Sequence, residues 1–164
     1  MAAQGDYYMR LDVGSLDELR DKIIDNLPSL RQTKSTDPQR GGDVWTYEDT
    51  KDIKEFTQIL LDKRPDIKPM VQPWGLEPAT NDRYPKIVRI GETILSRQYI
   101  SPNYIVVVSP MTHATVPLWL SRGDDRASGI TVNTTKGDAW IIRGGTRFHL
   151  PVPYHTMPLP VRKI

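Results

Sequence analysis

Residues 130–150 read ITVNTTKGDAWIIRGGTRFHL. In this stretch, short runs of β-branched and aromatic residues alternate with two glycine-containing segments, TKGD and RGGT, in which glycine can take a positive φ. Such alternation is typical of strands joined by tight turns. We therefore predict strands at residues 130–133, 139–143 and 146–150, following one another as two hairpins of a meander.

The same alternation of apolar runs and turn-forming residues extends upstream of this stretch. Four further apolar runs of strand length are separated by Gly, Pro, Asn and Asp, and they cover residues 86–90, 92–96, 104–108 and 115–120. Six or seven short strands at this spacing indicate a small antiparallel β-sandwich or barrel over residues 86–150.

The N-terminal half has helical periodicity instead. After a short alternating run at 7–13, Ser15 and Glu18 form a capping-box pattern ahead of apolar residues spaced by three and four, which predicts a helix at 16–27 that ends before Pro28. A second helix is predicted at 49–64, capped by Thr46 or Asp49. The fold class predicted is α+β, with a helical N-terminal part of two helices and a C-terminal β-sandwich or barrel.

Two irregular segments complete the predicted organisation. Residues 29–42 are polar and end in a glycine pair, which predicts a linker, and residues 65–85 contain five prolines, which predict a stiff strap anchored by Trp74. The domain boundaries predicted are 1–68 for the helical part, 69–85 for the strap, 86–150 for the sandwich and 151–164 for an extended C-terminal arm.

The C-terminal arm carries most of the predicted function. Residues 150–164 read LPVPYHTMPLPVRKI, and proline cannot donate to a sheet ladder, so we predict that this segment is not a central strand. A proline-rich chain is already extended and loses little entropy when it docks. It can bind a neighbouring subunit or wrap over its own sheet as a final edge strand.

Composition excludes some chemistry. The chain has 164 residues and no cysteine, which rules out disulfides, thiolate zinc sites and thiol nucleophiles. Its first residues show no basic segment followed by an apolar run, so we expect neither a cleaved signal nor a membrane span. His113, His149 and His155 lack recognisable metal spacing, and we expect no metal and no cofactor.

Catalytic motifs are also missing from the sequence. It contains no nucleophile elbow, phosphate loop or dinucleotide fingerprint, so we expect a protein that is not an enzyme. A small enzyme whose site is assembled from separate loops stays open as an alternative, because such a site leaves no sequence motif.

Charge is distributed unevenly along the chain. Residues 1–80 hold 11 basic and 15 acidic side chains, whereas residues 81–164 hold 11 basic and 5 acidic ones. Opposite faces could join copies head to tail, or the basic half could bind a polyanion. Because basic and aromatic residues share that half, a single-stranded nucleic-acid-binding β-barrel is a second alternative, although the aromatics lie in strand runs where burial is common.

The cysteine-free, β-rich texture and the proline-rich terminus resemble small structural proteins of tailed bacteriophage particles, namely decoration, head-completion or connector subunits. The resemblance implies a homo-oligomeric or shell-attached assembly subunit located in the virion after assembly in the host cytoplasm, or otherwise in the cytoplasm. We expect contacts to other subunits and not to a membrane. The residues predicted to bind a partner are Trp74, Arg122, Asp124, Arg126, Pro151, Pro153, Tyr154, Met157, Leu159 and Val161.

Overall fold

A computed structural model describes residues 7–37, 42–79, 85–90, 97–122, 129–135 and 137–164. Within them lie the helices α1 (Asp17–Asn26), α2 (Lys51–Leu61) and α3 (Arg64–Val71). The strands are β1 (Tyr8–Asp12), β2 (Gln32–Asp37), β3 (Gly42–Tyr47), β4 (Leu76–Pro78), β5 (Lys86–Ile90), β6 (Gln98–Tyr99), β7 (Tyr104–Pro110), β8 (Pro117–Arg122), β9 (Ile130–Asn133), β10 (Asp138–Ile142), β11 (Thr146–His149) and β12 (Tyr154–Lys163).

The strands form two antiparallel sheets, and neither closes into a barrel. The large sheet has the order β1-β10-β7-β12-β5-β3-β2, with β4 paired to the end of β12. The small sheet has the order β6-β11-β8-β9. The prediction of a mixed fold with antiparallel sheets is therefore confirmed, and the barrel alternative is not.

Two hydrophobic cores lie on opposite faces of the large sheet. Successive side chains of a strand point to opposite faces, so β7 sends Ile105 and Val107 into the core beneath the helices and Val106 and Val108 into the core beneath the small sheet. The molecule thus has three layers, in the order helices, large sheet and small sheet. The apolar composition of β7 and β10 on both faces follows from this central position.

The helix-side core contains side chains from all four of the predicted segments. It joins side chains from Leu11 in β1 to Leu159 in β12, with Ile53 and Phe56 of α2 between them. The N-terminal half also supplies β1, β2 and β3 to the same sheet as the C-terminal strands. Helical and β-rich parts of the sequence are therefore interleaved in space.

The predicted helices are present with different caps. Helix α1 follows a 3-10 turn at Gly14–Leu16, and no side chain caps its first turn, so the capping box predicted at Ser15 does not form. Helix α2 is capped by Thr50, whose hydroxyl accepts a hydrogen bond from the Ile53 N–H, and not by Thr46 or Asp49. Thr50 takes this role because it is the last residue with extended backbone before the helix.

The predicted linker and strap are both wrong in part. Residues 32–37 form β2, which pairs with β3 as a hairpin although no apolar alternation marks it. Residues 64–71 form α3, because Pro65 lies in the first turn, where the missing N–H has no intrahelical acceptor, and Ile67 and Val71 bury their side chains four residues apart. Pro69 removes only one hydrogen bond from this short helix.

The predicted meander is also wrong, although its strands are confirmed. Strand β10 joins the large sheet, while β9 and β11 both pair with β8 in the small one. The turn at Gly145, with φ of 78°, therefore carries the chain from one sheet to the other. The strand predicted at 92–96 lies outside the described residues.

The C-terminal segment is a central strand and not an arm. Strand β12 pairs with β7 on one side and with β5 and β4 on the other. The Pro160 carbonyl accepts a hydrogen bond from the Ala79 N–H, whereas the Val161 N–H donates to the Asn103 carbonyl, so the two residues present their backbones to opposite edges. Pro158 and Pro160 thus direct their missing N–H groups away from β7, and they lie outside the residues of β12 that pair with β5 (154–156) and with β4 (161–163).

Candidate interaction surfaces

The predicted partner-binding residues of the C-terminal segment belong largely to the protein's own core. Tyr154, Met157 and Leu159 are buried, and Val161 packs partly against the helix-side cluster. Strand β12 lies between β7 and β5, so these side chains belong to the centre of the large sheet. The prediction that they form an exposed arm is wrong. Of the same set, Pro151 is exposed and Pro153 is half-buried.

Trp74 is likewise not the exposed aromatic that was predicted. It closes the 3-10 turn that follows α3 and is buried in the helix-side core, with the Arg143 guanidinium 5.8 Å from its ring centroid. The indole therefore anchors the segment after α3 to the sheet. Its predicted contact with a partner is replaced by contacts within the chain.

The charged loop after β8 is described only at its ends. Asp124 and Arg126 lie outside the described residues, and their predicted contact with a partner stays a prediction. Arg122 Nη1 donates to the Gly144 carbonyl and to Thr146 Oγ1, both at 3.0 Å. This side chain therefore ties the end of β8 to the turn that leads into β11.

Strand β2 ends the large sheet, and no other described strand than β3 pairs with it, which leaves an open edge among the described strands. Side chains 32–36 of β2 are all exposed, so this strand is covered on neither face. The Glu48 N–H donates to the Arg31 carbonyl. Because hydrogen-bonded pairs alternate along an antiparallel ladder, residues 31, 33 and 35 direct their backbone N–H and C=O groups toward β3. Gln32, Lys34 and Thr36 consequently direct their backbone N–H and C=O groups away from the molecule.

A row of two cations and one aromatic ring crosses the hairpin and the next strand. Lys34 and Arg89 are the cross-strand neighbours of Trp45. Lys34 Nζ lies 5.7 Å and Arg89 Cζ 4.0 Å from the indole centroid. These cation–π contacts hold the half-buried Trp45 ring one strand behind the edge.

The outer face of the small sheet pairs arginines with aromatic rings. Because Leu118, Leu120 and Phe148 face the inner core, alternation places Trp119, Arg147 and Tyr99 on the opposite face. Arg97 Cζ lies 4.1 Å from the Trp119 ring centroid, and Arg147 Cζ lies 5.4 Å from that of Tyr99. We call this surface the arginine–aromatic face.

Tyr99 is the most accessible part of the arginine–aromatic face. Its relative exposure is 46%, and it lies on β6 at the edge of the small sheet. Arg147, by contrast, is buried and donates from Nη1 to the Arg97 carbonyl at 2.8 Å. Trp140 and Phe148, two further aromatic residues of the basic C-terminal half, lie instead in the core between the two sheets.

A basic groove lies between α3 and the ends of β4 and β12. Its volume is about 870 Å³, and Arg64, Lys68 and Arg162 contribute cationic side chains to its lining. Arg64 Nε donates to the Leu61 carbonyl, and Arg162 forms an ion pair with Glu77. Sequence reasoning missed this groove because it treated residues 65–85 as a strap and the C-terminus as an arm.

His155 and Thr57 form a hydrogen-bonded polar pair that is buried in the helix-side core. His155 is fully buried, its Nε2 shares a hydrogen bond of 2.8 Å with Thr57 Oγ1 on α2, and its ring meets Phe56 edge to face. Burial lowers the pKa of His155 from 6.5 to about 3, so the imidazole is neutral. Among the described residues, neither His155 Nδ1 nor the hydroxyl of its cross-strand neighbour Ser109 has a hydrogen-bond partner.

Helix α1 also buries a charge that the sequence reading overlooked. Arg20 is 2% exposed and pairs with Asp17 at 3.1 Å. Burial lowers the pKa of the guanidinium, and the nearby carboxylates of Asp17 and Asp21 oppose that shift. The available signal was its place on the apolar face of the helix, at helical spacing from Leu16 and Ile23.

In the part of the chain that the structure describes, no cluster of three or more His, Asp or Glu side chains could hold a metal ion, and His149 and His155 lie on different sheets. No described helix has the length and apolar character needed to cross a membrane. The chain matches no protein-family model, and no curated protein sequence matches it.

Proposed function

We propose that this chain is a non-enzymatic assembly subunit that joins a second copy of itself through the open edge of β2. The observation that carries the proposal is the β2–β3 hairpin, whose outer strand has every described side chain exposed and three residues with outward backbone groups. An unpaired edge of this kind is a template for another strand. The resemblance to phage structural proteins suggests the same role, in a virion or another shell.

Strand pairing gives the contact a defined geometry. Copies related by a two-fold axis pair β2 with β2 in antiparallel orientation, because the same patch then serves on both sides. Outward-facing residues must oppose one another in the new ladder. A register with Lys34 opposite Lys34 is disfavoured by charge repulsion, so we expect the register that places Lys34 opposite Thr36.

The free energy that this contact can supply is modest. In the register that places Lys34 opposite Thr36, the two symmetric pairs form about four backbone hydrogen bonds, and each contributes about 0.5–1.5 kcal/mol net. The total of about 2–6 kcal/mol corresponds to a Kd from tens of micromolar to tens of millimolar, so we expect weak association.

The test is a proline placed on the outward side of β2. Lys34→Pro removes an N–H that has no partner among the described residues, so the fold should persist and the oligomer should dissociate. Ser35→Pro is the matched control, because its N–H faces β3 and the substitution should instead lower the unfolding temperature. Lys34→Thr removes the charge while keeping the N–H and should leave association intact.

Mass would be measured by sedimentation equilibrium at two protein concentrations, the higher of them near the millimolar range. Thr36→Pro repeats the test at the second outward position in case Lys34→Pro unfolds. A wild-type chain that stays monomeric at both concentrations contradicts the proposal. So does a folded Lys34→Pro or Thr36→Pro variant that keeps the wild-type mass.

Single-stranded nucleic acid binding is a second candidate, favoured by Tyr99 on the arginine–aromatic face. An exposed ring beside guanidinium groups offers a base a stacking surface, and stacking contributes about 1–3 kcal/mol per base. Fluorescence anisotropy with an oligothymidine should show binding that weakens with salt and falls about tenfold in Tyr99→Ala. Equal binding by the variant would reject this face as the site.

A further inference from the structure

The basic groove between α3 and β12 brings together cations that are distant in sequence. Arg64 and Lys68 lie one turn apart on α3, and Arg162 reaches the same space from the end of β12. Pro65 and Pro78 form part of its wall. The convergence depends on β4, which pairs with β12 and carries the chain back past α3.

The hydrogen bonds around the groove hold its cations in place. Arg64 uses only Nε for the Leu61 carbonyl, so its two terminal amino groups extend beyond that bond. Arg162 likewise engages Glu77 through Nε, and its side chain is 71% exposed. Lys68 is exposed on α3.

Acidic groups offset only part of this charge. Asp62 also lines the groove, and its carboxylate accepts a hydrogen bond from Gln58 Nε2 at 2.9 Å. The carboxylate of Glu77 offsets part of the positive charge of Arg162. The lining therefore keeps a net positive charge, which favours an anionic occupant.

The volume and the cations of the groove indicate what kind of anion it can bind. A volume of about 870 Å³ is larger than a single phosphate group requires and lies in the range of small-molecule sites. Guanidinium groups bind phosphate oxygens through paired N–H donors, and lysine adds a point charge. Three cations from two elements suit a ligand with several linked phosphates.

We propose that this groove binds an oligophosphate group, either as a free oligophosphate or as part of a nucleoside triphosphate. The inference is independent of the assembly role, because no residue of β2 or β3 lines the groove. An acidic peptide would compete for the same cations, so tighter binding of such a peptide would contradict the proposal.

The test is titration calorimetry of the full chain with tripolyphosphate, a nucleoside triphosphate and an oligoglutamate peptide. Lys68→Gln and Arg162→Gln should each weaken tripolyphosphate binding about tenfold, which matches the loss of one charge-assisted hydrogen bond. Lys54→Gln is the control, because Lys54 is an exposed residue of α2 outside the groove and its loss changes the net charge equally.

The outcomes separate the alternatives. Tighter binding of the nucleoside triphosphate than of tripolyphosphate identifies a nucleotide as the source of the phosphates, and equal binding identifies the oligophosphate alone. No measurable tripolyphosphate binding, an equal loss in Lys54→Gln, or tighter binding of oligoglutamate would each overturn the proposal. Unfolding temperatures of the three variants verify that any loss of binding occurs in a folded protein.

Discussion

Acidification should destabilise this protein through His155, well before its carboxylates titrate. The imidazole is buried between β12 and α2, where its charged form is disfavoured, and its pKa falls from 6.5 to about 3. In the unfolded chain the same group has its ordinary pKa. Between these two pH values the unfolded state therefore binds one proton more than the folded state, and stability falls as pH falls.

The magnitude follows from the two pKa values. Well above pH 6.5, His155 is neutral in both states and the full stability is present. Below that, each pH unit lost removes up to about 1.4 kcal/mol until the folded pKa near 3 is reached. Between pH 7 and pH 5 the expected loss from His155 is about 2 kcal/mol.

The assay is urea unfolding at a series of pH values from 7 to 5, with His155→Gln as the matched variant. Glutamine keeps a polar group near Thr57 but cannot titrate, while His113, His149 and every carboxylate are unchanged. The difference between the wild-type and variant free energies of unfolding should therefore shrink by about 2 kcal/mol across this range. An equal pH dependence in both proteins would show that His155 titrates normally and is not sealed in the core.

Three further substitutions test the packing and hydrogen bonding described above, each by urea or thermal unfolding. Thr50→Ala removes the cap that accepts from the Ile53 N–H and should cost about 1 kcal/mol, so a value near zero would contradict the cap. Ser109→Ala removes a buried hydroxyl that has no hydrogen-bond partner among the described residues and should leave stability unchanged or raise it by about 1 kcal/mol, whereas a clear loss would indicate an unrecognised hydrogen bond. Gly144→Ala should destabilise by more than about 2 kcal/mol, because its Cβ would lie 2.4 Å from the Tyr104 carbonyl oxygen, and wild-type stability would refute that close approach.

The strongest local patterns were also the most reliable. The amphipathic spacing of α1 and α2 predicted both helices to within a few residues, because burial of one face is what stabilises each helix. The apolar runs at 104–108 and 139–143 likewise became β7 and β10, since such runs can be buried on both faces of a central strand.

The largest errors in predicting secondary structure from the sequence lie in proline-containing segments. The missing N–H of proline made a central strand at the C-terminus and a helix at residues 64–71 look unfavourable. Both occur because the position of each proline matters more than its presence. Pro65 lies in the first turn of α3, and Pro158 and Pro160 turn their missing N–H groups away from β7 and lie outside the residues of β12 that pair with β5 and β4. Only the register of β12 against three other strands decides this.

The sequence by itself determined which segments bury apolar surface, and thus the mixed composition of the fold. Tertiary structure decided how those segments are shared: which strands enter which sheet, the sealing of His155 against Thr57, the burial of Arg20, and the meeting of Arg64 with Arg162 in one groove. The physical reason is that hydrophobic periodicity is local, whereas strand order, cross-strand neighbours and converging charges depend on contacts between residues that are far apart in the chain.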